Sequence, residues 1–133
     1  GTGAGLPGIL ISIIGYQNVT MVDSVKKKTD FINKIIEDLS LTAKVKNNRI
    51  EKTKLKKQDI IVSRALAPLK ELLTYTRMHS NINTTSLFLK GRSVNNEIEK
   101  AMKKFSFDFK KFKSVSSHDG CILQIKNIKI KNV

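Results

Sequence analysis

Apolar residues recur along this chain with two periods. VTMV at residues 19–22 and DIIVS at 59–63 are short apolar runs with polar ends, the pattern of strands buried on both faces. Between them, Phe31, Ile32, Ile35, Ile36 and Leu39 return at helical spacing while Lys26, Lys27, Lys28, Lys34, Glu37 and Asp38 fall largely elsewhere, which predicts a helix over 25–39 with Ser24 as its N-cap. Upstream, Pro7 stands where a helix would begin, and the almost wholly apolar stretch 8–14 predicts a short buried helix stopped at Gly15. Residues 43–47 form a weaker candidate strand, and 52–57 a basic loop or short helical turn. APLKELLTYTRM at 67–78 predicts a second amphipathic helix with Pro68 in its first turn, TSLFLKG at 85–91 a strand, and NNEIEKAMKKF at 95–105 a charged helix. FDFKKFKSV at 107–115 and CILQIKNIKI at 121–130 predict two strands joined through 116–120.

This order alternates strand and helix four times and closes with a hairpin. Alternation implies parallel strands joined by crossover helices that cover both faces of the sheet. The predicted fold class is therefore α/β: a doubly wound, mostly parallel sheet with a C-terminal antiparallel hairpin. No internal repeat and no linker rich in Gly, Ser or Pro divides the 133 residues, so a single domain over 1–133 is expected.

Charge narrows the partners. Twenty-five Lys and Arg against 11 Asp and Glu give a formal net charge of +14. A compact state carrying that excess repels itself, which points first to nucleic acid and second to an anionic membrane surface as the polyanion that offsets it. Three clusters stand out, at Lys26, Lys27 and Lys28, at residues 52–57 and at 110–113. Cys121 is alone, so no internal disulfide forms, and two His without paired Cys leave no zinc spacing. A reducing, cytoplasmic setting fits, and no apolar run reaches the roughly 18 residues that a membrane span needs. His79 reads as an exposed loop residue rather than a ligand.

The opening GTGAGLPGILIS carries the chemistry. Gly3-Ala-Gly5-Leu-Pro-Gly8 satisfies the dinucleotide pattern G-x-G-x-x-G, and Asp23 follows at the spacing of an acid that holds ribose hydroxyls. Gly1 extends the string to G-x-G-x-G-x-x-G, more typical of S-adenosylmethionine sites. Both readings share one physical basis, since glycines let a ligand approach the backbone N–H groups. A nicotinamide-dependent oxidoreductase and an S-adenosylmethionine enzyme stay open on this pattern, as does a basic RNA-binding module without catalysis.

Further motifs bear on the choice. GTGAGLPGILISI, VTMVDSVKKKTDFINKIIEDLSL, NNRIE, IIVSRALAPLKELL and LFLKG, in this order and spacing, resemble the RsmG (GidB) family, methyltransferases acting on a guanine N7 of 16S ribosomal RNA. The likeness runs from residue 1 to about 99 and fades into a lysine-rich tail. It implies a Rossmann-like S-adenosylmethionine-dependent methyltransferase fold and, as partner, 16S ribosomal RNA or the small ribosomal subunit, with no metal and no membrane. By that resemblance Gly1 and Leu6 touch the cofactor, Gly3 and Gly5 supply the turn beside them, Asp23 is the ribose-binding acid, Ile50 and Glu51 lie next to the adenine, and Arg64 completes the site. Lys26, Lys27, Lys28 and Lys90 are expected to flank the RNA path, and the protein is expected to act as a monomer. Family members carry a helical segment and a first strand before the glycine loop. The expectation is thus a single methyltransferase domain over 1–133, N-terminally incomplete. MHSNINTTS at 78–86 also lacks the family's Pro-Gly-Gly turn.

The implied reaction accounts for an absence. Guanine N7 carries a lone pair and no proton, so its methylation needs no general base and no catalytic His, Cys or carboxylate dyad. Positioning in an in-line displacement, with exclusion of water, would provide most of the acceleration.

Overall fold

The computed structural model describes residues 2, 5–64 and 66–132 and divides into two units, Gly1–Lys54 and Leu55–Val133, each with its own hydrophobic core.

In the first unit, strands Thr20–Asp23 (β1) and Lys44–Asn47 (β2) pair in parallel, Thr20 opposite Lys44 and Asp23 opposite Asn47. Helix Lys26–Asp38 (α2) is the crossover between them, preceded by the short helix Gly8–Ile13 (α1). Ile9, Met21, Ile32 and Ala43 are buried together, with Val19, Ile35, Ile36, Leu41 and Val45 packed partly against them. Ile32 is fully buried, a contribution of about 1.5–3 kcal/mol for one such side chain.

The helical stripe is narrower than its sequence suggests. Phe31 and Leu39 stay about half exposed, Phe31 because it stands about 100° around the helix from Ile32 and Leu39 because it is the C-cap residue beyond the last turn. The helix also begins one residue later than expected. Ser24 is not its N-cap; the cap residue is Val25, and the Asp23 carboxylate takes up the local donor, Oδ1 accepting from the Val25 N–H at 2.9 Å. α1 is not a buried helix: only Ile9 and Ser12 are buried, and Leu10, Ile13 and Ile14 are exposed, since a helix of six residues offers one face to a neighbour.

Two glycines of the opening loop are fixed by geometry. Gly5 adopts φ +96°, and a Cβ there would lie 2.5 Å from Ile9 Cγ1; a Cβ on Gly8 would lie 2.6 Å from Met21 Cγ and Sδ. Gly8 thus lets α1 press against β1. Gly5→Ala is expected to lower stability by about 2–3 kcal/mol through overpacking and left-handed backbone strain together. Gly15 shares the positive φ, at +107°, but faces open space, so Gly15→Ala should cost only about 1 kcal/mol. Urea midpoints of the two variants check the difference; equal shifts would mean that Ile9 gives way freely.

The second unit is a four-stranded sheet in the order β3-β4-β6-β5, built from Ile60–Arg64 (β3), Thr85–Lys90 (β4), Phe105–Lys113 (β5) and Cys121–Ile130 (β6). β3 and β4 are parallel, whereas β6 runs antiparallel to both β4 and β5. Helices Leu69–Arg77 (α3) and Val94–Met102 (α4) supply Leu69, Leu72, Leu73, Val94, Ile98 and Ala101 to a core shared with Phe88, Phe105, Leu123 and Ile125. The hairpin is as predicted, and its second strand takes the interior place. β6 carries Leu123 and Ile125, both fully buried, while the lysine-rich β5 is left at the edge, where charge discourages pairing with other chains.

Three local expectations are corrected. The charged helix ends at Met102 rather than at 105, because Phe105 is drawn into the core as the first residue of β5. Val115 falls in the connecting turn and is fully exposed. His79 is 5% exposed, and among the described residues neither ring nitrogen has a hydrogen-bond partner. Its segment is pulled inward by main-chain ties: the His79 carbonyl accepts from Gln58 N–H at 2.8 Å, and the Met78 carbonyl from Lys57 Nζ at 2.9 Å.

Candidate functional site

In the first unit the chemistry gathers at the carboxyl ends of β1 and β2, the end where open α/β sheets take their ligands. Asp23 is the last residue of β1 and only 5% exposed. Its carbonyl accepts from Asn48 N–H at 3.0 Å and from Asn47 Nδ2 at 3.2 Å, which ties the end of β1 to the loop after β2. That loop winds at once into a 3-10 turn, Ile50–Lys52, closed by Thr53 Oγ1 donating to the Arg49 carbonyl at 2.8 Å. Asp23 and the Ile50–Glu51 turn are thereby brought together, with Ile50 half-buried and Glu51 exposed.

The glycine loop belongs to the same end. Thr2 N–H donates to the Val22 carbonyl at 3.4 Å, one residue before Asp23, and Gly5 N–H donates to the Thr2 carbonyl at 3.0 Å. Gly5 is buried and Leu6 is 37% exposed beside it. Gly1 and Gly3 lie outside the described residues.

The donor set suits an adenosine. A carboxylate is an acceptor of the kind that a vicinal ribose diol, with its two O–H donors, requires. Ile50 supplies an apolar surface for a base. α1 is too short to act as an anion site.

Arg64 ends β3 in the second unit, exposed and in register with Leu89. Ala65 of the same SRA motif lies outside the described residues. The segment just beyond is held by an ion pair that sequence reasoning missed. Lys90 Nζ and Glu97 Oε1 lie 2.9 Å apart, with side chains 8% and 17% exposed. Lys90 also donates to the Ala67 carbonyl at 2.9 Å, and Glu97 accepts from the Leu69 N–H at 2.9 Å and from Ser93 Oγ at 3.0 Å. Burial works to raise the Glu97 pKa, but Lys90, the Leu69 N–H and Ser93 outweigh it and hold the carboxyl below its ordinary value.

This placement corrects one expectation. Lys90 does not project toward an RNA path; its ammonium is turned inward to fasten the segment after Arg64. The only hint of Glu97 in the sequence is its i,i+4 spacing from Ser93; nothing signals that it reaches Leu69, 28 residues away. By contrast Lys26, Lys27 and Lys28 are exposed, Lys26 pairing with Asp30 at 2.8 Å on the surface of α2.

Cys121 is free and half-buried, and burial is the leading cause that pushes its thiol up. It is a packed thiol, not an activated nucleophile. Among the described residues no group of three His, Cys, Asp or Glu could hold a metal ion, and no helix is long and apolar enough to cross a membrane.

A family model described as rRNA small subunit methyltransferase G (GidB) matches residues 1–125. The protein named Ribosomal RNA small subunit methyltransferase G of Caulobacter vibrioides is 35% identical over 132 residues, covering 96% of this chain and 61% of that protein. Its counterpart in Hyphomonas neptunium is 34% identical over 133 residues, covering 99% and 64%. The chain thus spans a little over 60% of the length of these curated relatives. Among solved structures, the ribosomal protein L11 methylase of Lactobacillus delbrueckii subsp. bulgaricus matches with a TM-score of 0.76 at 21% identity, over 95% of this chain and 66% of that one. An rRNA methylase of Streptococcus thermophilus matches with a TM-score of 0.68 at 7% identity, over 97% and 84%. At such identities the likeness is one of fold, the Rossmann-like α/β architecture that these methylases share.

Proposed function

Because the chain belongs to the rRNA small subunit methyltransferase G family, we propose that it takes part in the transfer of a methyl group from S-adenosylmethionine to N7 of a guanine in 16S ribosomal RNA. The observation that carries the reading is Asp23, a buried residue at the end of β1, its carbonyl tied to Asn47 and Asn48 just ahead of the Ile50–Glu51 turn and its strand joined to the glycine loop through Val22. Bound there, S-adenosylmethionine would supply an electrophilic methyl on a sulfonium centre. Asp23 accepts from the ribose hydroxyls, Ile50 and Glu51 border the adenine, and Gly5 and Leu6 lie beside the cofactor.

The acceptor nitrogen has a lone pair and no proton, so no side chain need take a proton. The chain's part is to bind, to orient the guanine in line with the methyl, and to keep water out. Lys26, Lys27 and Lys28, exposed on the first turn of α2, contact RNA phosphates, which fix register without reading sequence. The reading keeps residues 1–133 as one methyltransferase domain, monomeric, cytoplasmic and without a metal, acting on 16S ribosomal RNA or the small subunit that contains it.

Calorimetric titration with S-adenosylmethionine and, separately, with NAD tests the cofactor. Saturable binding of the first alone is expected. Binding of NAD alone would replace the reading with the oxidoreductase one, and salt-sensitive RNA binding with neither cofactor would leave a binding module. Transfer of labelled methyl to small-subunit RNA, located by chain cleavage at N7-methylguanine, then tests the acceptor.

A further inference from the structure

The β5–β6 hairpin carries a surface that the reading above does not use. From Asp108 opposite Lys126 to Lys113 opposite Cys121 its register is regular, one residue against one. Side chains alternate between faces along a strand. Leu123 and Ile125 are fully buried on the face under α3 and α4. Ile122, Gln124 and Lys126 therefore point to the opposite face, together with their partners Phe112, Lys110 and Asp108.

That face is open and mixed. Phe112 is 49% exposed and Ile122 is 38% exposed. Lys110 lies two residues from Phe112 on the same strand, about 6.6 Å along it. Lys110 and Lys126 share the ring's face, and residues 103–132 as a whole hold eight Lys against Asp108 and Asp119. Both acids are engaged, Asp108 accepting from Asn127 Nδ2 at 2.6 Å and Asp119 pairing with Arg92 at 3.2 Å. The side chains of Lys110, Lys113, Lys126 and Lys129, by contrast, make no hydrogen bond or ion pair among the described residues.

Protection of the β5 edge accounts for lysines there, but it does not account for a half-exposed phenylalanine on the open face. A lipid surface would want a continuous apolar face, whereas here Phe112 and Ile122 are interleaved with Lys110, Gln124 and Lys126. Lysines that follow a backbone, with an aromatic ring set among them, are what single-stranded nucleic acid takes: phosphates meet the ammonium groups and a base stacks on the ring.

We propose that the open face of the β5–β6 hairpin docks single-stranded RNA, with Phe112 as the stacking platform and Lys110 and Lys126 as phosphate ligands. The proposal rests on the RNA-methyltransferase reading and gives the substrate a second foothold besides Lys26, Lys27 and Lys28.

Fluorescence anisotropy on the full chain, with a labelled single-stranded RNA of about ten nucleotides and the matching duplex, tests it. Phe112→Ala is expected to weaken single-strand binding by about five-fold or more. Phe112→Trp should keep or strengthen it, which a merely structural role would not produce. Lys110→Ala with Lys126→Ala should reduce the slope of log affinity against log salt by about 1.4, or 0.7 for each phosphate no longer neutralised. S-adenosylmethionine affinity should be unchanged in all three variants.

Unchanged single-strand affinity in Phe112→Ala and in the double lysine variant, with cofactor binding intact, overturns the docking surface and leaves the methyltransferase reading standing. Preference for the duplex, or loss of binding to phosphatidylserine vesicles with RNA binding retained, also overturns it. If the unaltered chain binds neither S-adenosylmethionine nor RNA, the functional reading fails and the proposal falls with it.

Discussion

Asp23→Ala should weaken S-adenosylmethionine binding by about 100-fold. Two ribose hydroxyls donating to a largely buried carboxylate form charge-assisted hydrogen bonds, each contributing about 1.5–3 kcal/mol. Losing both removes two decades or more, at 1.4 kcal/mol per decade. The same change deletes the acceptor for the Val25 N–H, a cap loss of about 1 kcal/mol in stability. Affinity must therefore be read where the variant is shown to be folded. Asp23→Asn separates the two effects, because the amide oxygen can still cap Val25 while the charge is gone; a loss nearer ten-fold, with little change in stability, is expected. An Asp23→Ala chain that binds S-adenosylmethionine as tightly as its parent would remove Asp23 from the cofactor site.

Glu97→Ala should cost about 3 kcal/mol of stability. The side chains of Lys90 and Glu97 are 8% and 17% exposed, and truncating one partner leaves the other charge poorly compensated. The Leu69 N–H at the start of α3 loses its acceptor as well, which adds a desolvation cost. A lower urea midpoint with an unchanged slope is the signature. Lys90→Met together with Glu97→Leu should cost less than the sum of the single changes, since no unpaired charge is then left inside.

The pH dependence has a definite sign. Glu97 is held below its ordinary value of 4.5 in the folded chain. Its contribution is therefore present above about pH 4.5 and fades as pH falls through the depressed folded value. The stability gap between parent and Glu97→Ala should narrow below pH 4.5 and stay level from pH 5 to 7. A gap that does not narrow in acid would assign the loss to packing rather than charge.

The alternation of strands and helices was legible because buried strands and amphipathic helices impose different periods on apolar residues. The end of β1 at Asp23 was legible too, because the apolar run 19–22 stops there. Legibility stopped where tertiary contacts chose between local options. Ser24 is the better cap by residue type, yet Asp23 reaches the Val25 N–H first. Phe105 continues a helical stripe on paper but completes the core as a strand residue. His79 sits in a polar stretch, and bonds from Lys57 and Gln58, some 21 residues earlier, to the Met78 and His79 carbonyls carry it inside. Lys90 looked like surface charge because its partner, Glu97, is unmarked by any motif. The hairpin was readable as a hairpin, but its insertion beside β4 depends on Leu123 and Ile125 meeting Phe88 and Ser86, a pairing that spans about forty residues.

That strand order bears on how the chain comes off the ribosome. β5 is synthesised before β6, but β6 is its sheet neighbour and the link that joins it to β4. Until residues 121–130 emerge, β4 lacks its antiparallel partner, β5 has no partner at all, and the apolar residues of α3 and α4 have only part of the sheet to cover. At elongation rates of about 5–20 residues per second that interval lasts on the order of a second. Through it, the lysines of β5 keep an unpaired strand from pairing with its neighbours on a crowded polysome.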